Sequence, residues 1–160
     1  MTKNPVALSI CGFIAASFCT STATPKHLGV QLILGRFGKD EAGHYILPVK
    51  IVNSSVANYC FSKDLLENPN TDFAIIWLRA GSKVINKISG GYPVVPIPGE
   101  MKLKPGESFT VSLYVKGEIP AKYRQQKYKK PISAQAYVQF WDCDTEVTGG
   151  VYSASLAVML

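Results

Sequence analysis

The side chains able to do chemistry in this sequence fall in a few separate stretches. Residues 122–130 (KYRQQKYKK) set Lys122, Arg124, Lys127, Lys129 and Lys130 around Tyr123 and Tyr128. Positive charge interleaved with aromatic faces suits an anionic partner: an acidic protein, a nucleic acid, or the phosphates of a membrane surface. The same tract also reads as a solvated loop that keeps the chain soluble. Residues 89–99 (SGGYPVVPIPG) form a second candidate surface, whose prolines would hold it semi-rigid and so reduce the entropy lost on docking. It reads equally as a proline-stiffened connection between strands. Asp142, Asp144 and Glu146 alternate around Cys143, and their oxygens could converge on Ca²⁺ if the segment curled. Ca²⁺ needs six or more oxygen ligands, however, and a solvated turn leading to Gly149-Gly150 accounts for the same residues. The pattern calls for no metal and no cofactor.

Catalysis has little to work with. Nucleophilic chemistry needs a base beside a Ser, Cys or Thr, and the sequence holds only His27 and His44 for that role. Neither lies in a G-x-S-x-G, H-E-x-x-H or phosphate-cradling glycine motif. His44 follows Asp40-Glu41 at the start of a strand, which reads as a surface or hairpin position. Asn53-Ser54-Ser55 has the form of a glycosylation acceptor and reads here as a turn. The chain is expected not to be an enzyme.

The first residues predict a compartment. Lys3, the apolar run over residues 5–18 and the small polar residues up to Thr24 have the layout of a secretory signal peptide. Ser21 and Ala23 place cleavage after Ala23, dividing the chain into a leader over residues 1–23 and one domain over 24–160. The apolar run is shorter than the ~20 residues a spanning helix needs. Cys11 and Cys19 follow Ile10 and Phe18, bulky where a lipid-attachment site would carry a small residue. The protein is therefore expected to be periplasmic or secreted. Two cysteines remain, Cys60 and Cys143, and an oxidising compartment predicts that they pair.

With 47% hydrophobic and 18% charged residues, the 160-residue chain can fill a core. Short apolar or alternating runs separated by turn residues predict an all-β fold, a sandwich of about eight antiparallel strands. These runs cover residues 28–34, 45–52, 57–62, 73–78, 83–88, 107–115, 133–141 and 152–160. In residues 107–115, Phe109, Val111, Leu113 and Val115 share one face. Ala80-Gly81-Ser82 predicts a hairpin turn, and one helical turn fits around Leu65-Leu66. Trp77 and Trp141 read as core residues.

A strand ending in Asn-x-Ser followed by a second strand, together with Leu103-Lys104-Pro105-Gly106-Glu107 opening another, resembles immunoglobulin-like modules of exported bacterial proteins. That resemblance implies a fold and no activity. Ser89-Gly90-x-Tyr92 is similar to the S-G-x-Y motif of periplasmic lysozyme inhibitors, which implies Ser89 and Tyr92 as partner contacts. A net charge of +6 would repel a basic lysozyme at long range. The combined expectation is a non-enzymatic periplasmic binding protein, an immunity or inhibitor protein that blocks an envelope-directed toxin or hydrolase. Its partner should be an acidic protein or an anionic envelope surface; an exported chain rarely meets nucleic acid. Two alternatives stay open: a structural or assembly subunit of a surface or secretion machine, whose apolar residues 156–160 could pair with another chain, and a module binding envelope glycan or lipid phosphates.

Overall fold

The computed structural model describes residues 29–67, 72–86, 99–125 and 131–160. The leader predicted over residues 1–23, His27 and the loop predicted over residues 89–99, apart from Gly99, lie outside them. In chain order the first half forms β1 (Val30–Leu34), β2 (Gly38–Lys39), β3 (Tyr45–Asn53), β4 (Tyr59–Ser62), the single turn α1 (Asp64–Glu67), β5 (Ala74–Ala80) and β6 (Lys83–Val84). Then follow β7 (Glu100–Leu103), β8 (Ser108–Tyr114), the single turn α2 (Ala121–Arg124), β9 (Ile132–Asp142), β10 (Thr148–Tyr152) and β11 (Leu156–Val158). The chain is an all-β sandwich of two antiparallel sheets.

One sheet is centred on β3, with β8 along one edge and β1 then β2 along the other. Between Leu34↔Val49 and Gly38↔Ile46 the outer strand advances one residue more than β3, so it carries a bulge. That bulge explains how Pro48 sits inside a central strand. Its carbonyl accepts from the Gly35 N–H at 2.8 Å, on the bulged side, so the N–H that proline lacks is missing where the ladder is already interrupted.

The second sheet is built on β9. One side of β9 pairs with β5 and, at its far end, with β4; the other side pairs with β10 and then β11. β6 extends the sheet beyond β5, and β7 beyond β4. Strict alternation sends Ile132, Ala134, Ala136, Val138 and Phe140 inward, where they meet Leu47, Val49 and Ile51 of β3, Val111 and Leu113 of β8, and Phe61 of β4 in one core. Phe61 lies edge-on to Phe109 across the two sheets, with ring centroids 5.3 Å apart. Cys60 and Cys143 form a disulfide across 83 residues, with Cα atoms 5.2 Å apart. It ties β4 to the end of β9 where their ladder is only the two pairs Tyr59↔Asp142 and Cys60↔Trp141. A disulfide suits an oxidising compartment. Among the described residues no helix is long and apolar enough to cross a membrane.

The structure alters some sequence expectations and bears out others. The predicted final strand over residues 152–160 is two strands, since β10 and β11 are offset by a bulge at residues 153–155. Ser153 fills that gap: its hydroxyl accepts from the Ala136 N–H at 3.0 Å and its own N–H donates to the Ala136 carbonyl at 2.9 Å. The acidic segment forms the expected turn, at residues 143–145, and it leads into β10, which holds Gly149 and Gly150. Trp77 and Trp141 are half-buried on the outward face of the β9 sheet, because their inward neighbours Ile76, Leu78 and Phe140 take the core side. Asp142 caps its own turn, accepting from the Asp144 and Thr145 N–H groups at 2.9 Å each. The helical turn near Leu65 is α1, started by the Ser62 hydroxyl accepting from the Asp64 N–H at 3.2 Å.

Two buried asparagines hold segments the ladders do not reach. Asn53, fully buried, donates from Nδ2 to the carbonyls of Ala57 at 2.8 Å and Leu103 at 3.0 Å, while its Oδ1 accepts from the N–H and hydroxyl of Ser55. This amide is structural, since a glycan on Nδ2 would take one of the two hydrogens it donates and leave one of these carbonyls without its partner. Asn86 imitates a strand beside β5: Oδ1 accepts from the Leu78 N–H, and Nδ2 donates to the carbonyls of Ile76 and, in the segment after β8, Lys116. Asn53→Ala leaves buried groups unpaired and is expected to lower unfolding free energy by about 2–4 kcal/mol, read as a fall in the urea midpoint. Replacing both Cys60 and Cys143 by Ala should cost about 2–5 kcal/mol in the same assay, and wild type under reducing conditions should match it.

Candidate partner-binding groove

Three chain segments meet at one end of the sheet centred on β3. The first is the β2–β3 hairpin. Its turn closes when the Asp40 carbonyl accepts from the Gly43 N–H at 3.0 Å and the Asp40 N–H donates to the His44 carbonyl at 3.0 Å. Gly43 occupies the left-handed region with φ 84°, which a side chain would resist. The second segment is the end of β8 with the residues after it, whose Val115 N–H donates to the Tyr45 carbonyl at 2.9 Å. The third is α2. Gly43, His44, Tyr45, Val115, Gly117, Glu118, Ile119 and Arg124 enclose a groove of about 290 Å³ between these segments.

The polar groups of the hairpin are locked together. Asp40 Oδ1 accepts from the His44 N–H at 2.8 Å, and Oδ2 faces His44 Nδ1 at 3.2 Å. An ionised carboxylate only accepts, so Nδ1 carries the hydrogen in this contact and Nε2 is the ring nitrogen left for a ligand. Partial burial pushes the Asp40 pKa up. The His44 backbone N–H, the His44 side chain and the Tyr114 hydroxyl together outweigh this and hold the carboxyl below its ordinary value. Tyr114 is raised above its usual range, first because its hydroxyl bonds Asp40, then by burial and by the carboxylate's charge. His44 and Tyr114 rings lie 5.5 Å apart. The Tyr45 ring stacks on that of Phe37, with centroids 5.5 Å apart, and has Lys39 Nζ 4.6 Å from its centroid.

The basic tract enters this site through α2, and its residues take different roles. Tyr123 is buried among core side chains, so it anchors the helix instead of facing a partner. Lys122 is exposed and extends over the Tyr123 ring, 5.0 Å from its centroid. Arg124 is exposed and lines the groove, with no carboxylate paired to it among the described residues. Lys127, Tyr128, Lys129 and Lys130 lie outside the described residues, as do Ser89 and Tyr92. Sequence reading missed Asp40, Tyr114 and Glu118, which carry no motif; the Asp40-x-x-Gly43-His44 turn pattern was the available signal. Among the described residues, the polar side chains lining the groove are His44, Tyr45, Glu118 and Arg124.

Because the Asp40 pKa is depressed by folding, its contribution to hairpin stability is complete above the ordinary carboxylate range and is lost as pH falls through the depressed value. Tyr114→Phe removes one of the bonds that depress it, so the Asp40 titration should move upward, as measured by carboxyl carbon chemical shift against pH. Compared with protein-family models and with curated proteins, the sequence matches none of them.

Proposed function

We propose that this chain is a non-enzymatic binding protein of the bacterial envelope, an immunity or inhibitor protein that engages an acidic partner at the hairpin and α2 end. The observation that carries the reading is Arg124: a guanidinium without a described carboxylate partner, lining a groove beside the exposed Lys122. A guanidinium grips a carboxylate with two parallel hydrogen bonds, so one Asp or Glu side chain is the ligand this groove suits. His44 Nε2 would supply a second polar contact, held in place by Asp40. The lysines at 127, 129 and 130 continue the positive charge in sequence and would steer such a partner before contact. The leader-like first residues and the disulfide support a periplasmic or secreted setting.

An assembly role is the second reading, favoured by β1. This edge strand (VQLIL) has no charged residue or proline to blunt pairing, and Ile33 is 53% exposed. Sedimentation across a concentration series separates the two: a concentration-independent monomer speaks against self-assembly. For the first reading, the oxidised protein is used to capture partners from envelope extract at moderate salt. Arg124→Ala is expected to raise the dissociation rate of the captured acidic protein, costing about 2–5 kcal/mol of affinity if the pair is buried. Changing Lys127, Lys129 and Lys130 together to Ala should slow association at low salt and flatten its salt dependence. Unchanged kinetics in both variants would remove this surface from consideration.

A further inference from the structure

The outward face of the β9 sheet has a composition unlike the rest of this basic chain. Along β9 it presents Ser133, Gln135, Tyr137, Gln139 and Trp141, all half-buried. β5 adds Ile75 and Trp77, placed opposite Tyr137 and Gln135 respectively, and β10 adds Thr148, Gly150 and Tyr152, opposite Trp141, Gln139 and Tyr137. Arg79 is the one charged residue among the outward strand positions of β5, β9 and β10, and its guanidinium turns to the Ser82 carbonyl at the β5–β6 turn, 3.4 Å away. A sheet face open to water is ordinarily built with charged residues and threonine; this one is built with indole, phenol and amide groups.

The geometry spreads the rings. A Cβ at Gly150 would overlap the end of the Tyr137 ring, so the missing side chain is what lets that ring lie across β10. Tyr152, 60% exposed, meets Tyr137 with ring centroids 4.8 Å apart. Trp77 lies level with Gln135, Tyr137 is one outward position further along β9, and Trp141 two positions beyond that. At ~3.3 Å per residue the aromatic row covers about 20 Å along the strands. Amides sit among the rings: Gln135, beside Trp77, donates to the Ser153 carbonyl at 3.1 Å and keeps its acceptor oxygen, and Gln139 stands between Tyr137 and Trp141.

We infer that the outward face of β5, β9 and β10 is a binding platform for a neutral polysaccharide chain. Sugar rings offer apolar C–H faces to aromatic side chains and hydroxyls to amides, matching the aromatic rings of Trp77, Tyr137 and Trp141 and the amides of Gln135 and Gln139 set among them. The charge match is equally direct, because a face without ionised groups at its centre suits an uncharged ligand and would not attract the acidic partner proposed for the groove. The two sites stand on different observations and are tested separately.

The full oxidised protein is run in native gels containing glycol chitin, hydroxyethylcellulose or soluble starch, and titrated with chitohexaose while tryptophan emission is followed. Retardation by at least one polymer or a saturable tryptophan change, surviving 1 M NaCl and unaltered in Arg124→Ala, is the expected result. Tyr152→Ala removes an exposed ring with little effect on folding, and affinity should fall about three- to tenfold. Trp77→Ala should weaken binding by at least as much, with unchanged circular dichroism as its control. No response to any of the four glycans, binding abolished by salt, or binding equal to wild type in both aromatic variants would overturn the inference.

Discussion

The ladder on β9 is the constraint around which the molecule is arranged. Four strands hydrogen-bond to this one element, two on each side, so the positions of β4, β5, β10 and β11 are all defined relative to it. Its inward residues are small in the middle, Ala134 and Ala136, and larger toward the ends, Ile132 and Phe140. Small side chains there leave room for Leu47, Val49 and Ile51 of the facing sheet, and close packing of this kind is felt at the level of a single methylene. The disulfide reinforces the weakest part of the arrangement, the short pairing of β4 with the β9 terminus.

Where ladders stop, side-chain amides take over. Asn53 and Asn86 each satisfy backbone groups that would otherwise be buried and unpaired, and each links segments distant in sequence. Asn86 matters for the groove, because its bond to the Lys116 carbonyl ties the segment after β8 to β5. The floor of the groove is thereby connected to the core, whereas Arg124 on its rim is exposed. A rigid support beneath adaptable charged side chains is the arrangement that limits the entropy lost when a partner binds.

Much of the strand pattern was legible. Alternation in residues 107–115 and the Lys104–Glu107 turn, where Glu107 N–H donates to the Lys104 carbonyl at 3.1 Å, follow from near-neighbour chemistry alone. β2 and β7 escaped because two- and four-residue strands are too short for a periodic signal, and α2 because one helical turn has none. Trp77 was placed inside because residues 73–78 (FAIIWL) are apolar at both parities, so alternation could not tell one face from the other.

What the sequence by itself determined was the all-β class and most turn positions, since each depends on residues close together; it also pointed to Cys60 and Cys143 as a pair, which the structure joins. Tertiary structure alone decided which faces are inward and which side chains meet. Asp40, His44, Tyr114 and Arg124 converge because β3 pairs with β2 on one side and β8 on the other and α2 returns to the same end. The aromatic face exists because β5 and β10 bring their outward residues alongside those of β9. Both are consequences of register between distant strands, and register is set by the burial of a whole sheet face, a quantity that no local stretch of sequence contains.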